Sequence, residues 1–225
     1  LARVTAVRIS TTTLESFRLF LEPANDWMTE DELLATIRGA FVGNHKVWLG
    51  RAFGAVLEHP EPYRVAGGYR VIGLRGCPET FDFSDDVMGP ALALIDRPKT
   101  VFEAKAVWQL CGHDIVAAAD QMVGEDLIET KTTLSTFDLE KYAQSYQWRF
   151  MQAIFQPARI TYHVFCLFES AQNGVIELRG VESFHLYPYA ALHADCEALV
   201  RQFVDYVTVK GLVPLLDARQ QAAVA

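Results

Sequence analysis

The stretch from Asp120 to Lys131, Asp-Gln-Met-Val-Gly-Glu-Asp-Leu-Ile-Glu-Thr-Lys, constrains the fold more tightly than any other part of the chain. It reads as a β-hairpin. Val116 to Val123 alternates loosely, Gly124-Glu125 suits a two-residue turn, and Asp126 to Thr132 makes the return strand. Across such a turn Val123 faces Asp126, and counting outward sets Asp120 opposite Glu129. Opposed residues share a sheet face with Cβ atoms roughly 4.5–5.5 Å apart. Lys131, two residues beyond Glu129, points to that same face. Two carboxylates so close raise one of the two pKa values unless a cation lies between them. A hard divalent metal ion suits that place, with the ammonium beside it near a reacting oxygen.

The remaining sequence bounds what such a hairpin can belong to. With 225 residues, 51% of them hydrophobic, the chain can bury a sizeable core, and a single domain over residues 1–225 is expected. No apolar run reaches the roughly 18 residues of a membrane span. The opening Leu-Ala-Arg-Val-Thr lacks an initiator Met and a signal-like apolar core; it looks like a trimmed or incomplete start, and export is not inferred from it. Cys77, Cys111, Cys166 and Cys196 are spaced too irregularly for a zinc site or an iron–sulfur cluster. They are expected to be buried, reduced thiols in a cytoplasmic protein. A net charge of −8 argues against indiscriminate attraction to nucleic acid, while leaving room for a local basic groove.

Along the chain, Ser10 to Thr13 offer hydroxyl caps to a short helix, Leu14 to Phe20. Thr29-Glu-Asp-Glu32 is a capping box opening a helix to about Ala40. Lys46 to Glu58 has helical apolar spacing and stops at Pro60 and Pro62. Tyr63 to Leu74 reads as a strand pair turning at Gly67-Gly68. Ser84 to Ile95 reads as a helix interrupted at Gly89-Pro90. Strands are expected over 101–110, 114–122 and 127–132. Asp138 caps a helix from Leu139 to about Phe155, ended by Pro157. Two more strands, 159–168 and 175–186, and an amphipathic helix, 192–209, complete the order. This predicts an α/β sandwich: a central mixed, mostly antiparallel β-sheet flanked by helices.

An acid-x-Lys triplet alone means little, and the chain holds two, Glu103-Ala-Lys105 and Glu129-Thr-Lys131. Only Glu129 has an acid set opposite it by a hairpin, so the first triplet reads as a decoy. In this context the chain resembles the PD-(D/E)XK nuclease superfamily, in its RecB-like and phage-exonuclease branch. Ser10-Thr-Thr-Thr-Leu-Glu-Ser-Phe looks like the family's Ser/Thr-rich opening helix. Leu49-Gly-Arg-Ala-Phe-Gly-Ala-Val-Leu-Glu58 is similar to its Gly-x-x-x-His-x-x-x-Glu helix, with Gly54 where that His is common. Asp120, Glu129 and Lys131, followed by Thr132-Thr133, match the core motif. Gln147 to Met151 resembles the helical Gln-x-x-x-Tyr motif, with Met151 in place of Tyr.

The resemblance implies a restriction-endonuclease-like core and hydrolysis of DNA phosphodiester bonds. It implies that Asp120 and Glu129 bind Mg²⁺ or Mn²⁺, helped by the backbone carbonyl of Thr130 and by Glu58. Lys131 would orient the attacking water or stabilise charge on the phosphate, and Gln147 would position a water or a phosphate oxygen. Arg149 is a candidate phosphate contact. DNA and a divalent cation are the implied partners; a homo-oligomer and a recombination or repair partner protein stay open. An exonuclease is favoured over an endonuclease.

Bland readings stand beside these. Asp120, Glu129 and Lys131 could form a solvated, self-neutralised sheet edge. Asp114 competes for the aspartate role, though the register sets it opposite residue 135, too far out. Tyr146 and Trp148 read as core rather than a stacking platform for bases. Rival functions are an inactive DNA-binding or assembly module on the same fold, a CRISPR-adaptation nuclease, against which the cysteine spacing speaks, and a metal-free structural protein.

Overall fold

The computed structural model describes residues 6–23, 28–40, 43–95, 100–171 and 174–216. Its elements, in order, are β1 (Arg8–Ser10), α1 (Thr11–Leu21), α2 (Glu30–Arg38), α3 (His45–Glu58), β2 (Arg64–Val65), β3 (Gly68–Val71), β4 (Phe81–Ser84) and α4 (Asp85–Ala93). There follow β5 (Thr100–Leu110), β6 (His113–Val123), β7 (Asp126–Thr133), α5 (Leu139–Gln144), α6 (Tyr146–Phe155), β8 (Arg159–Glu169), β9 (Ile176–Leu186) and α7 (Leu192–Val209). The fold is mixed α/β, a central mixed sheet flanked by helices.

Strands β6, β7, β8 and β9 lie side by side, with β5 on the outer edge of β6. β1 runs parallel to the start of β6, on the edge that β7 uses at the other end. β7 and β8 pair in parallel; the pairs β5/β6, β6/β7 and β8/β9 are antiparallel. The parallel β7–β8 pair exists because α5 and α6 carry the chain back across the sheet.

Alternation along β8 divides the core between two faces. Phe165 and Leu167 pack with Trp48, Leu49, Phe53 and Val56 of α3 and with the small sheet β2–β3–β4. Ile160, Tyr162 and Val164 pack with Trp148 and Met151 of α6. Each fully buried side chain of this size contributes about 1.5–3 kcal/mol, so both faces hold their helices firmly. At its start α3 is tied down by His45. Its Nε2 lies 2.7 Å from Glu169 Oε2, and its Nδ1 meets Glu79.

Several expectations need correction. The strands β1 and β4 were not anticipated: each is three or four residues long, too short for a period-2 signal to stand out. α4 runs through Gly89-Pro90 without a break, because burial of Val87, Met88 and Ala91 outweighs the lost backbone bond. The helix expected over 139–155 is two, since the Ser145 hydroxyl accepts the Gln147 amide and restarts the turn. The small hairpin turns at Ala66-Gly67, where Gly67 takes φ 78°, rather than at Gly67-Gly68. All four cysteines are free thiols, but Cys77, Cys111 and Cys166 are half-buried and only Cys196 is fully buried. Among the described residues, no helix is long and apolar enough to cross a membrane.

Candidate active site

The turn at Gly124-Glu125 pairs Val123 with Asp126, Met122 with Leu127 and Gln121 with Ile128, after which β6 and β7 part. Asp120 and Glu129 stand at the point of parting, and their carboxylates satisfy the backbone there. Thr130 N donates to Asp120 Oδ2 at 3.0 Å, and Asp120 N donates to Glu129 Oε1 at 3.2 Å. Lys131 Nζ lies 2.8 Å from Glu129 Oε2 and 3.8 Å from Asp120 Oδ2. The three side chains anticipated on one face are therefore in contact.

Their environments differ. Glu129 has no solvent-exposed side chain, whereas Asp120 is 41% exposed. Burial raises the pKa of Glu129 above the carboxylate range, Asp120 adds to the shift, and Lys131 opposes it. For Lys131, burial works against the ammonium, but Glu129 and Asp120 outweigh it and hold the proton on. Glu58, at the end of α3, is also raised, by burial first and then by Glu103 and Asp120. One carboxylate near its titration point thus sits beside a fixed cation, while a second faces solvent.

A cavity of about 870 Å³ opens on this cluster. Asp120, Gln121, Thr130, Lys131 and Thr132 form one wall, and Gln147 enters from α6. The facing wall is α3, which presents Lys46, Gly50, Gly54 and Glu58 at four-residue intervals. Gly50 allows the close approach of helix and strand, since a Cβ there would meet Thr132 Oγ1 at 3.1 Å. At Gly54 a Cβ would meet nothing within 4 Å, so the cavity is open where the resembled family commonly has His.

Of the residues singled out from sequence, Glu58, Asp120, Thr130, Lys131 and Gln147 line this cavity, and Glu129 is bonded to Lys131 beneath it. Arg149 does not line it. Two residues past Gln147 on a helix is about 200° around the axis, so Arg149 faces the other way. Its guanidinium stacks 4.4 Å from the Tyr146 ring and lies 3.6 Å from Asp195. Trp148 and Met151 are buried in the core. Asp114 pairs with Gln109 and with Arg8, at the far end of β6.

The decoy triplet divides. Lys105 is exposed, but Glu103 lines the cavity. Glu103 sits between the pairs Phe102↔Gln121 and Ala104↔Ala119, across from Asp120, with φ 49°. A signal for this was present: the turn at Cys111-Gly112 pairs Leu110 with His113, and counting back from it sets residue 103 opposite Asp120. Lys46 and Arg51 also line the cavity and were missed. Helical spacing would have found Arg51, since seven residues bring it to within about 20° of Glu58 around the axis.

Carboxylate and carbonyl oxygens suit a hard cation in kind. Asp120, Glu58 and the Thr130 carbonyl are the residues that could hold one, with Glu129 once it leaves Lys131. As the side chains stand, no three His, Cys, Asp or Glu among the described residues are gathered as a metal cage. A cation would therefore need the Glu129–Lys131 contact to open or Glu58 to swing inward.

Fold and site together define an α/β protein with a carboxylate–lysine cluster at a strand divergence. Neither a protein-family model nor a curated protein matches the sequence. Among solved structures, that of SSO0001 is similar at TM-score 0.50 and 12% identity, over 91% of this chain and 79% of that one. That of LHK-Exo in complex with dAMP is similar at TM-score 0.47 and 13% identity, over 96% and 94%. At 12% identity the likeness to the first of these is one of fold alone.

Proposed function

We propose that this protein is a metal-dependent nuclease that hydrolyses DNA phosphodiester bonds, of the exonuclease kind. The observation that carries the reading is that Lys131 contacts both Asp120, in the wall of a cavity that Glu58 and Gln147 also line, and Glu129, buried beneath it. A bound Mg²⁺ or Mn²⁺ would supply a low-pKa water and neutralise the non-bridging phosphate oxygens. Asp120, open to the cavity, would orient that cation together with Glu58. Lys131, held protonated, would present its ammonium to the attacking water or to the charge that develops on the phosphate. Gln147 would donate to a phosphate oxygen or fix a water from the α6 side. The motif order along the chain supports the exonuclease branch.

The test is incubation with linear double-stranded, single-stranded and circular DNA, in Mg²⁺, Mn²⁺ or EDTA. Degradation of linear DNA that needs the cation is expected, and Lys131→Ala or Asp120→Asn abolishes it while folding survives. Parent-like cleavage by both variants would mean that the site is elsewhere. A parent inert towards all three DNAs with either cation would favour the rival reading, a non-catalytic DNA-binding or assembly module. One observation favours that rival: Lys131 closes on Glu129 at 2.8 Å, where a cation would have to compete.

A further inference from the structure

The cavity has two electrically opposite ends. Glu58, Glu103, Asp120 and Lys131 lie at one; Lys46 and Arg51, on the same helix as Glu58, lie at the other. Lys46 and Arg51 are exposed, and neither meets a carboxylate among the described residues. Arg51 instead rests its guanidinium 4.9 Å over the ring of Trp48, which braces it without neutralising it. Between the two ends the wall is bare helix at Gly50 and Gly54, with open space over Gly54. On a chain of net charge −8, a phosphate approaching the acidic end is repelled unless cations nearby hold its neighbours.

We infer that Lys46 and Arg51 bind the phosphates of a single nucleic-acid strand that lies along α3 over Gly54, so that the substrate enters unpaired. This rests on the nuclease reading for which phosphate reacts at the Glu58 end. At about 1.5 Å of rise per residue, Arg51 lies ~10 Å and Lys46 ~18 Å along the helix from Glu58. Those distances span a few phosphates of one strand, whose charges recur every ~3.4 Å or more. A cavity of about 870 Å³ has room inside it for a few nucleotides of one strand, whereas a duplex would have to lie across its mouth. Val47 and Phe102 supply apolar lining against sugars and bases.

Binding is read by fluorescence anisotropy in EDTA, using an internally labelled twelve-nucleotide DNA as single strand and as blunt duplex. The parent is expected to prefer the single strand. Lys46→Ala/Arg51→Ala is expected to bind it roughly tenfold more weakly, and to lower the salt slope by about 0.7 per lost contact. Lys46→Arg/Arg51→Lys keeps most of the affinity. Gly54→Leu fills the open stretch of wall and weakens binding without lowering the melting temperature, since its site has space and ordinary helical geometry. Preference for the duplex, no binding to either DNA, or parent-like binding by the alanine pair would each overturn the inference. Cleavage separates it from the reading beneath. If the parent cleaves with a cation and the alanine pair cleaves with unchanged KM, the phosphate assignment fails and the nuclease stands. If binding follows expectation but nothing is cleaved, the assignment stands and the nuclease fails.

Discussion

Glu15 accepts a hydrogen bond from the backbone amide of Tyr146 at 2.6 Å, across 131 positions of chain. Tyr146 is the first residue of α6 and Gln147, the next, lines the cavity. Arg18 holds Glu15 in place at 2.9 Å. A carboxylate at a helix start satisfies an orphan amide and complements the helix dipole. The opening helix thus fixes the start of the helix that carries Gln147 into the cavity. Glu15→Ala should cost about 1 kcal/mol of stability and lower kcat more than it raises KM. Glu15→Gln, which keeps an acceptor, should lose less of both. Urea titration and steady-state cleavage check the pair of expectations.

Lys131 sets a pH signature on stability. The folded-state pKa of Glu129 is raised above its unfolded value, by burial first. The folded state therefore binds this proton more tightly, and stability falls as pH rises from the ordinary carboxylate range through the folded pKa. Replacing Lys131 with Met removes the opposing cation and raises that pKa further. The variant should lose little at pH 5, where Glu129 is neutral, and on the order of 1–2 kcal/mol more at pH 8. An equal loss at both pH values in urea unfolding would show that the pair is not electrostatically coupled. By the same linkage, Mn²⁺ should raise the melting temperature more at pH 8 than at pH 5, because the carboxylates must be ionised to bind it.

The hairpin was legible in the sequence because its turn, alternation and charges agree: Gly124-Glu125 sets the count, and the count brings Asp120 to Glu129. α3, capped by Asn44 and ended before Pro60, was legible to within a residue for similar reasons. What escaped were features set by tertiary contact. β1 is a strand only because β6 lies beside it, and β4 only because β3 does. Glu103 reaches the cavity through the β5–β6 register, which the turn at Cys111-Gly112 sets and which was not counted out. Arg149 lies off the cavity because two residues carry it about 200° around α6 from Gln147, an angle that its charge alone does not give.

His45 gives a second pH effect, distinct in origin. A hydrogen bond to Glu79 raises its pKa, burial opposes the shift, and Glu169 adds to it. Both ring nitrogens face carboxylates, so only the imidazolium satisfies both. This stabilisation is complete below the unfolded pKa of about 6.5 and is lost as pH rises through the folded one. The ring is 40% exposed, so screening keeps the effect small. His45→Gln should flatten the part of the melting-temperature profile above pH 6.5 and leave the Lys131-dependent part intact. A profile unchanged by the substitution would remove His45 as its source.

Two substitutions should leave cleavage nearly untouched. Lys105 is 65% exposed and lies 3.8 Å from the rim carboxylate of Glu103. Asp114 lies at the opposite end of β6 from Asp120. Lys105→Ala and Asp114→Asn should each keep most activity in the same DNA degradation assay. Loss with Lys105→Ala equal to that with Lys131→Ala would move the reacting lysine to the other triplet.

Gly68 tests whether the small sheet holds α3 in register with the cavity. A Cβ there would come 2.2 Å from the backbone oxygen of Phe83, and backbone cannot yield as a side-chain tip does. Gly68 opens β3, which pairs with β4, and both strands supply aromatic side chains to the cluster that seats α3. Gly68→Ala should therefore cost about 1–3 kcal/mol and shift the wall that carries Lys46, Arg51 and Glu58. Cleavage should fall further than stability alone accounts for, even at temperatures where the variant is fully folded. If folded Gly68→Ala cleaves as the parent does, the small sheet stabilises the chain without positioning α3.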